Sequence, residues 1–206
     1  MRCWGPCSRN SPLDVSSRLT RPAWVLLAAL AAGCATPHGA RAPATDLLSA
    51  YTLDARFGLR DRDSSYSGRL NWRHNVQGDA VLVQDPFGGG VAELDARASG
   101  ARMRLADGQV AEASDASELM QRLTGVALPV RDLARWLTAR GIDSNGSAPE
   151  RDGLGRVARQ VRQGWQIDYR YDDDAADALP SRIVAANGQG IELRLAIEAW
   201  TVGVEP

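Results

Sequence analysis

Apolar and polar side chains alternate with a period of two through much of this chain. Leu53, Ala55, Phe57 and Leu59 interleave with Asp54, Arg56 and Arg60, the pattern of a strand with one face buried and the other in water. The same alternation sets Tyr66, Leu70 and Trp72 against Ser67, Arg69, Asn71 and Arg73, and Ala101, Met103 and Leu105 against Arg102 and Arg104. Asp107-Gly108 predicts a tight turn into a further strand. A short helix is predicted over residues 46–51, ahead of the first strand.

The period then lengthens. Asp115-Ala116-Ser117-Glu118 reads as a capping box, followed by Leu119, Met120 and Leu123 at helical spacing and a Gly125 stop. A second helix is predicted after Pro129, with Leu133, Trp136 and Leu137 on one face and Gly141 as its C-terminal cap. Residues 142–155 read as a loop. Alternation resumes with Trp165, Ile167, Tyr169 and Tyr171 against Gln166, Asp168 and Arg170, and with Ile191, Leu193, Leu195 and Ile197 against Glu192, Arg194 and Glu198. Asn187-Gly188 turns the chain between the last two strands.

About ten strands with two central helices, and no βαβ repetition, predict a mostly β, α+β fold built on an antiparallel sheet. Sheets of that size curl. The expected architecture is an incomplete barrel covered by helices and enclosing an apolar cavity.

Ahead of this body, residues 23–32 are an unbroken apolar run preceded by Arg2, Arg9, Arg18 and Arg21 and closed by Gly33 and Cys34. The run has the proportions of a secretory signal and is too short to span a bilayer. Small residues leading into a cysteine form a lipobox, where the backbone must be open to the enzymes that acylate and cleave. Ala31 stands where such motifs usually carry Leu, with Leu30 one residue earlier. The expected organisation is a signal peptide at 1–33, a flexible lipidated tether at 34–44, rich in Ala, Pro, Gly and Thr, and one folded domain at 45–206. Cys3 and Cys7 fall in the leader; three residues separate them, unlike a thioredoxin motif. The long leader, with Asp14 in it, suggests a true start further along.

The whole chain of 206 residues carries a net charge of −1, and all its basic residues are Arg. Four of those Arg against one Asp lie in the leader, so the body is more acidic still, which argues against a general nucleic-acid binder. With Cys34 acylated, the mature chain has no free thiol. Three acyl chains exceed what stable anchoring requires, so diacylglycerol and an N-acyl chain on Cys34 are the only covalent groups expected, with no cofactor.

No catalytic constellation emerges. His38 lies in the tether, and His74 ends a strand beside a turn; both read as solvated, without partners at metal or triad spacing. Asp172-Asp173-Asp174 with Asp177 lacks the ligand spacing of a calcium loop. Gly88-Gly89-Gly90 lacks the Lys-Ser or Lys-Thr of a phosphate loop. It does follow Gln84-Asp85-Pro86-Phe87, between a strand at 80–83 and one starting at Val91, which puts Phe87 at a loop tip. Two readings stay open here: a ring folded back onto the core, or one held out toward a membrane or partner.

The chain resembles the LolB family of outer-membrane lipoproteins over nearly all of its mature region. The resemblance is carried by Asp85-Pro86-Phe87-Gly88, by the block from Ala113 through Leu123-Thr124-Gly125, by Leu128-Pro129-Val130 with Leu133-Ala134-Arg135-Trp136-Leu137, by Gly164-Trp165 and by Trp200. It implies a curved sheet lidded by helices around a hydrophobic cavity for acyl chains, without catalysis. It further implies acceptance of acylated lipoprotein cargo from a LolA-like periplasmic carrier and insertion into the inner leaflet of the outer membrane, by a monomer facing the periplasm. Phe87 takes the place of the family's exposed loop hydrophobe, usually Leu, with Pro86 and Gly88 shaping the loop. Candidate cavity residues are Leu70, Trp72, Leu119, Leu133, Trp136, Trp165 and Ile167; ordinary core packing explains each equally well. Ala35 after the lipidated cysteine is not Asp, which in many bacteria permits onward export. Alternatives are a soluble carrier of the same fold, a non-catalytic structural or assembly lipoprotein, and a lipid or envelope hydrolase.

Overall fold

The computed structural model of the chain describes residues 48–140 and 147–203. Six strands come first: β1 (Tyr51–Arg60), β2 (Ser65–Asn75), β3 (Gly78–Gln84), β4 (Gly90–Arg97), β5 (Gly100–Leu105) and β6 (Val110–Ala113). Helices α1 (Ala116–Thr124) and α2 (Val130–Trp136) follow, then β7 (Glu150–Arg151), β8 (Val157–Arg162), β9 (Trp165–Arg170), β10 (Arg182–Asn187) and β11 (Glu192–Val202). All the strands form one antiparallel sheet in the order β6-β5-β4-β3-β2-β1-β11-β10-β9-β8-β7. Every pair of sheet neighbours is consecutive in the chain except β1 and β11, whose pairing joins the two meanders.

This order explains where the helices lie. β6 and β7 are the two edges of the sheet, so the chain must travel from one edge to the other between them. It does so across one face, carrying α1 and α2 over the apolar side chains that the alternation sends there. Met103, Leu94, Val81, Trp72 and Leu53 stand opposite one another in register across five strands, all buried. Leu59, Leu193, Ala185 and Ile167 make a second such row. From the helices, Leu119, Leu133, Ala134 and Trp136 close onto the same core. The opposite face is charged, with Glu198 of β11 bridging Arg56 and Arg69 at 3.0 Å each. Register shifts at Asp54/Ala55 and at Val83/Gln84 introduce bulges, which bend strands and increase their twist. The sheet remains open.

Local chemistry sets the helix ends. Asp115 caps α1, its carboxylate accepting the Glu118 N–H at 2.9 Å, and Gly125 ends it in the left-handed conformation. The Glu118 side chain reaches back to the N–H and hydroxyl of Ser114 instead of the cap residue's own N–H. Helix α2 ends at Trp136, and the chain turns at Ala139, whose φ is +54°.

Three expectations need correction. The described part of the helix predicted over 46–51 is not helical: Ser49 and Ala50 form a bend and Tyr51 begins β1. Pairing decides that outcome, because Tyr51 stands between His74 and Val202 in the sheet and buries its ring. The loop read over 142–155 contains β7, which adds an edge to β8. Tyr66 shares the inner face with Leu70 and Trp72 but lies near the strand end and is exposed. The Gly141 cap, residues 142–146, Cys34 and the leader fall outside the described residues.

Candidate functional site

The β3–β4 loop is held by its own hydrogen bonds. Asp85 donates its N–H to the Gly89 carbonyl at 2.8 Å, and its carbonyl accepts the Gly88 N–H at 3.0 Å. One oxygen of its carboxylate, Oδ1, accepts the N–H groups of Phe87 at 2.7 Å and Gly89 at 3.1 Å. Gln84 donates its side-chain amide to the Gly88 carbonyl at 3.1 Å. Gly88 has φ +92°, a conformation a side chain would strain. Pro86, its φ fixed by the ring, stands between Asp85 and the tip. Phe87 is 98 % exposed, which overturns the reading in which its ring folds back onto the core. A fully exposed aromatic side chain gains nothing from folding.

The seven cavity candidates come from both layers. Leu70 and Trp72 project from β2, Trp165 and Ile167 from β9, Leu119 from α1, and Leu133 and Trp136 from α2. All seven are buried members of one apolar cluster between sheet and helices. An acyl chain can reach them only by parting the helices from the sheet or by displacing side chains. Toward the end of the sheet that carries the Phe87 loop, the inner face stays apolar but is less covered: Phe57, Val83, Ala92 and Leu105 are only half-buried. Gly68 shapes this rim, because an added Cβ there would collide with the Gln84 backbone carbonyl and sit 3.1 Å from the Phe57 ring.

Two tyrosines tie α2 to the sheet. The hydroxyl of Tyr51 on β1 donates to the Ala134 carbonyl at 2.6 Å, and that of Tyr169 on β9 donates to the Trp136 carbonyl at 2.9 Å. The Ala134 carbonyl is among those a helix leaves unsatisfied at its C-terminal end, and the Trp136 carbonyl also accepts the Ala139 N–H at 3.0 Å. Burial pushes both phenols well above the ordinary tyrosine range; Asp79 nearby adds to this for Tyr51, and the Gln160 side-chain hydrogen bond opposes it for Tyr169. Both therefore remain donors at any physiological pH.

Sequence reasoning misread His74 as solvated. Its Nδ1 lies 2.7 Å from Asp79 Oδ1, which also accepts the Trp72 indole N–H at 2.8 Å. The imidazole ring is 5.0 Å from the Tyr51 ring. Asp79 follows the β2–β3 turn and is nearly fully buried; its position five residues after His74, across a hairpin, was the available signal. This group bonds inward to the core and is a structural network beneath Tyr51.

Comparison with known proteins identifies the fold's function. A family profile described as outer membrane lipoprotein LolB matches residues 49–200. The chain belongs to the LolB family. The LolB of Dechloromonas aromatica is 38 % identical over 182 residues, covering 85 % of this chain and 94 % of its own. That of an Azoarcus species is 36 % identical over 190 residues, covering 87 % and 97 %, and that of Chromohalobacter salexigens 30 % over 212 residues, covering 93 % and 95 %. Among solved structures, a LolA superfamily protein of Nitrosomonas europaea superposes with a TM-score of 0.49 at 14 % identity, over 79 % of this chain and 90 % of that one. LolB proteins are non-catalytic outer-membrane lipoproteins, the receptors of lipoproteins delivered by LolA. The chain is thus a lipoprotein-transport protein of the outer membrane and no hydrolase.

Proposed function

We propose that this LolB-family protein takes the acyl chains of incoming lipoproteins between its curved sheet and its helices, and uses Phe87 to hand them to the inner leaflet of the outer membrane. Acylation of Cys34, with residues 34–44 as tether, holds the folded domain at that surface. The donor is a soluble LolA-like carrier, the cargo a lipoprotein, and the working unit a monomer.

The observation that carries this reading is the exposed Phe87 on a loop whose tip N–H groups are already hydrogen-bonded, beside the half-covered apolar rim of Phe57, Val83, Ala92 and Leu105. A ring favours the membrane interface, where its flat face contacts acyl chains at shallow depth. The interior candidates Leu70, Trp72, Leu119, Leu133, Trp136, Trp165 and Ile167 supply the apolar surroundings. Shelter is required, because each exposed methylene costs about 0.8 kcal/mol, so a chain of roughly 15 carbons would cost on the order of 12 kcal/mol in water. No nucleotide is needed when each successive apolar environment binds the chain more tightly than the last, the bilayer most of all.

The test is transfer reconstituted from purified carrier, acylated cargo and liposomes. Phe87→Glu places a charge at the tip, which opposes entry into the interface. The expected result is cargo uptake from the carrier close to wild type and delivery to liposomes lost. Delivery at the wild-type rate would refute the role assigned to Phe87.

A further inference from the structure

We infer that Asp85 is the positioning residue of the insertion tip: it holds Phe87 outward and at the same time removes the backbone N–H groups of the tip from competition with water. The inference rests on the reading of Phe87 as the membrane-inserting residue. A loop tip that enters an interface has a problem beyond its side chain, since each unpaired N–H carried into a water-poor layer costs free energy. Here the N–H groups of Phe87 and Gly89 both end on Asp85 Oδ1, at 2.7 and 3.1 Å, and that of Gly88 ends on the Asp85 carbonyl at 3.0 Å. Pro86 has no N–H to satisfy. Every backbone donor from Pro86 to Gly89 is therefore absent or turned inward onto one residue, while the Phe87 ring stands in solvent.

The sequence around Asp85 fits this task. An added Cβ at Gly89 would sit 2.6 Å from Asp85 Oδ2, so a side chain at residue 89 would force the carboxylate to shift from its place over the loop. Gly88 has its positive φ, and Gln84 ties its carbonyl back to the base of the loop. The register shift between Val83 and Gln84 lies directly below, where a bulge redirects the strand ends.

The experiment compares Asp85→Ala, Asp85→Asn, Gly89→Ala and Phe87→Glu in the reconstituted assay, measuring uptake from the carrier and delivery to liposomes separately. Asp85→Ala removes an acceptor of two N–H groups and is expected to slow delivery about tenfold, the size of a lost capping interaction, with uptake unchanged within about twofold. Asp85→Asn keeps the accepting oxygen and should restore most of the delivery rate. Gly89→Ala, which pushes the carboxylate off the loop, should behave as Asp85→Ala does. Wild-type delivery by Asp85→Ala while Phe87→Glu still blocks it would overturn the positioning role and leave the tip's role standing. Equal loss in Asp85→Asn and Asp85→Ala would also overturn it, by showing that the charge and not the accepting geometry matters. Wild-type delivery by Phe87→Glu would instead remove the reading on which the inference rests.

Discussion

The Phe87 loop and the α2 cover are built by opposite means. In the loop, seven residues from Gln84 to Gly90 hold their shape with short-range hydrogen bonds onto Asp85, and their largest apolar side chain touches solvent. In the cover, seven residues from Val130 to Trp136 bury Val130, Leu133, Ala134 and Trp136 and are fastened to strands far away in sequence through Tyr51 and Tyr169. The loop is stable without its apolar group, and the cover is stable because of its apolar groups. A transport protein needs both: a surface that can leave water for a bilayer without unfolding, and an interior that shelters a chain.

The contrast predicts that stability and delivery respond to different residues. Leu133→Ala should cost about 3 kcal/mol in urea unfolding, as lost burial plus a cavity does in other cores, whereas Phe87→Glu should stay within about 0.5 kcal/mol of wild type. A destabilisation by Phe87→Glu comparable to that by Leu133→Ala would show the ring docked on the domain and end the contrast.

A smaller effect tests the fastening. Tyr51→Phe leaves the Ala134 carbonyl without its donor in a buried place, which should cost about 1–2 kcal/mol, while Tyr66→Phe on an exposed ring should cost almost nothing. Equal stabilities of the two variants would mean that the hydroxyl does not hold the helix.

The smallest effect appears at alkaline pH. Burial raises the phenols of Tyr51 and Tyr169, and Tyr171 is pushed up to about 12, chiefly by burial. The unfolded chain releases these protons near pH 10 while the folded chain keeps them. The stabilisation is therefore complete below pH 10 and declines as pH rises above it. A variant carrying Tyr51→Phe and Tyr169→Phe should show a shallower decline between about pH 10 and pH 11 than wild type. An identical slope would remove those hydroxyls from the account.

How much of this was legible follows from how far each element depends on distant residues. The strands with strict alternation, such as 53–59 and 165–171, were readable because the burial that fixes them is written in their own period. Helix α1 was readable from Asp115 and Gly125, which act within one turn. The helix predicted over 46–51 failed in its described part because Tyr51 answers to His74 and Val202, more than twenty and more than a hundred residues away. The two-residue β7 exists only because β8 offers it an edge. At the site, Phe87's exposure could not be derived from its composition alone, although an Asp two residues before it, with Gly following, is the signature of a side chain capping its own turn. The tyrosine ties to α2 left no local trace, since each joins residues that only the fold brings together.

The central claim is that the space between sheet and helices receives acyl chains. A photo-crosslinking phenylalanine derivative in place of Trp136, buried on the inner side of the cover, tests it most directly during transfer from the carrier. The account predicts a crosslink to acylated cargo and none to the same cargo lacking its lipid. Failure to capture acylated cargo while transfer proceeds, or equal capture of both forms, would contradict it.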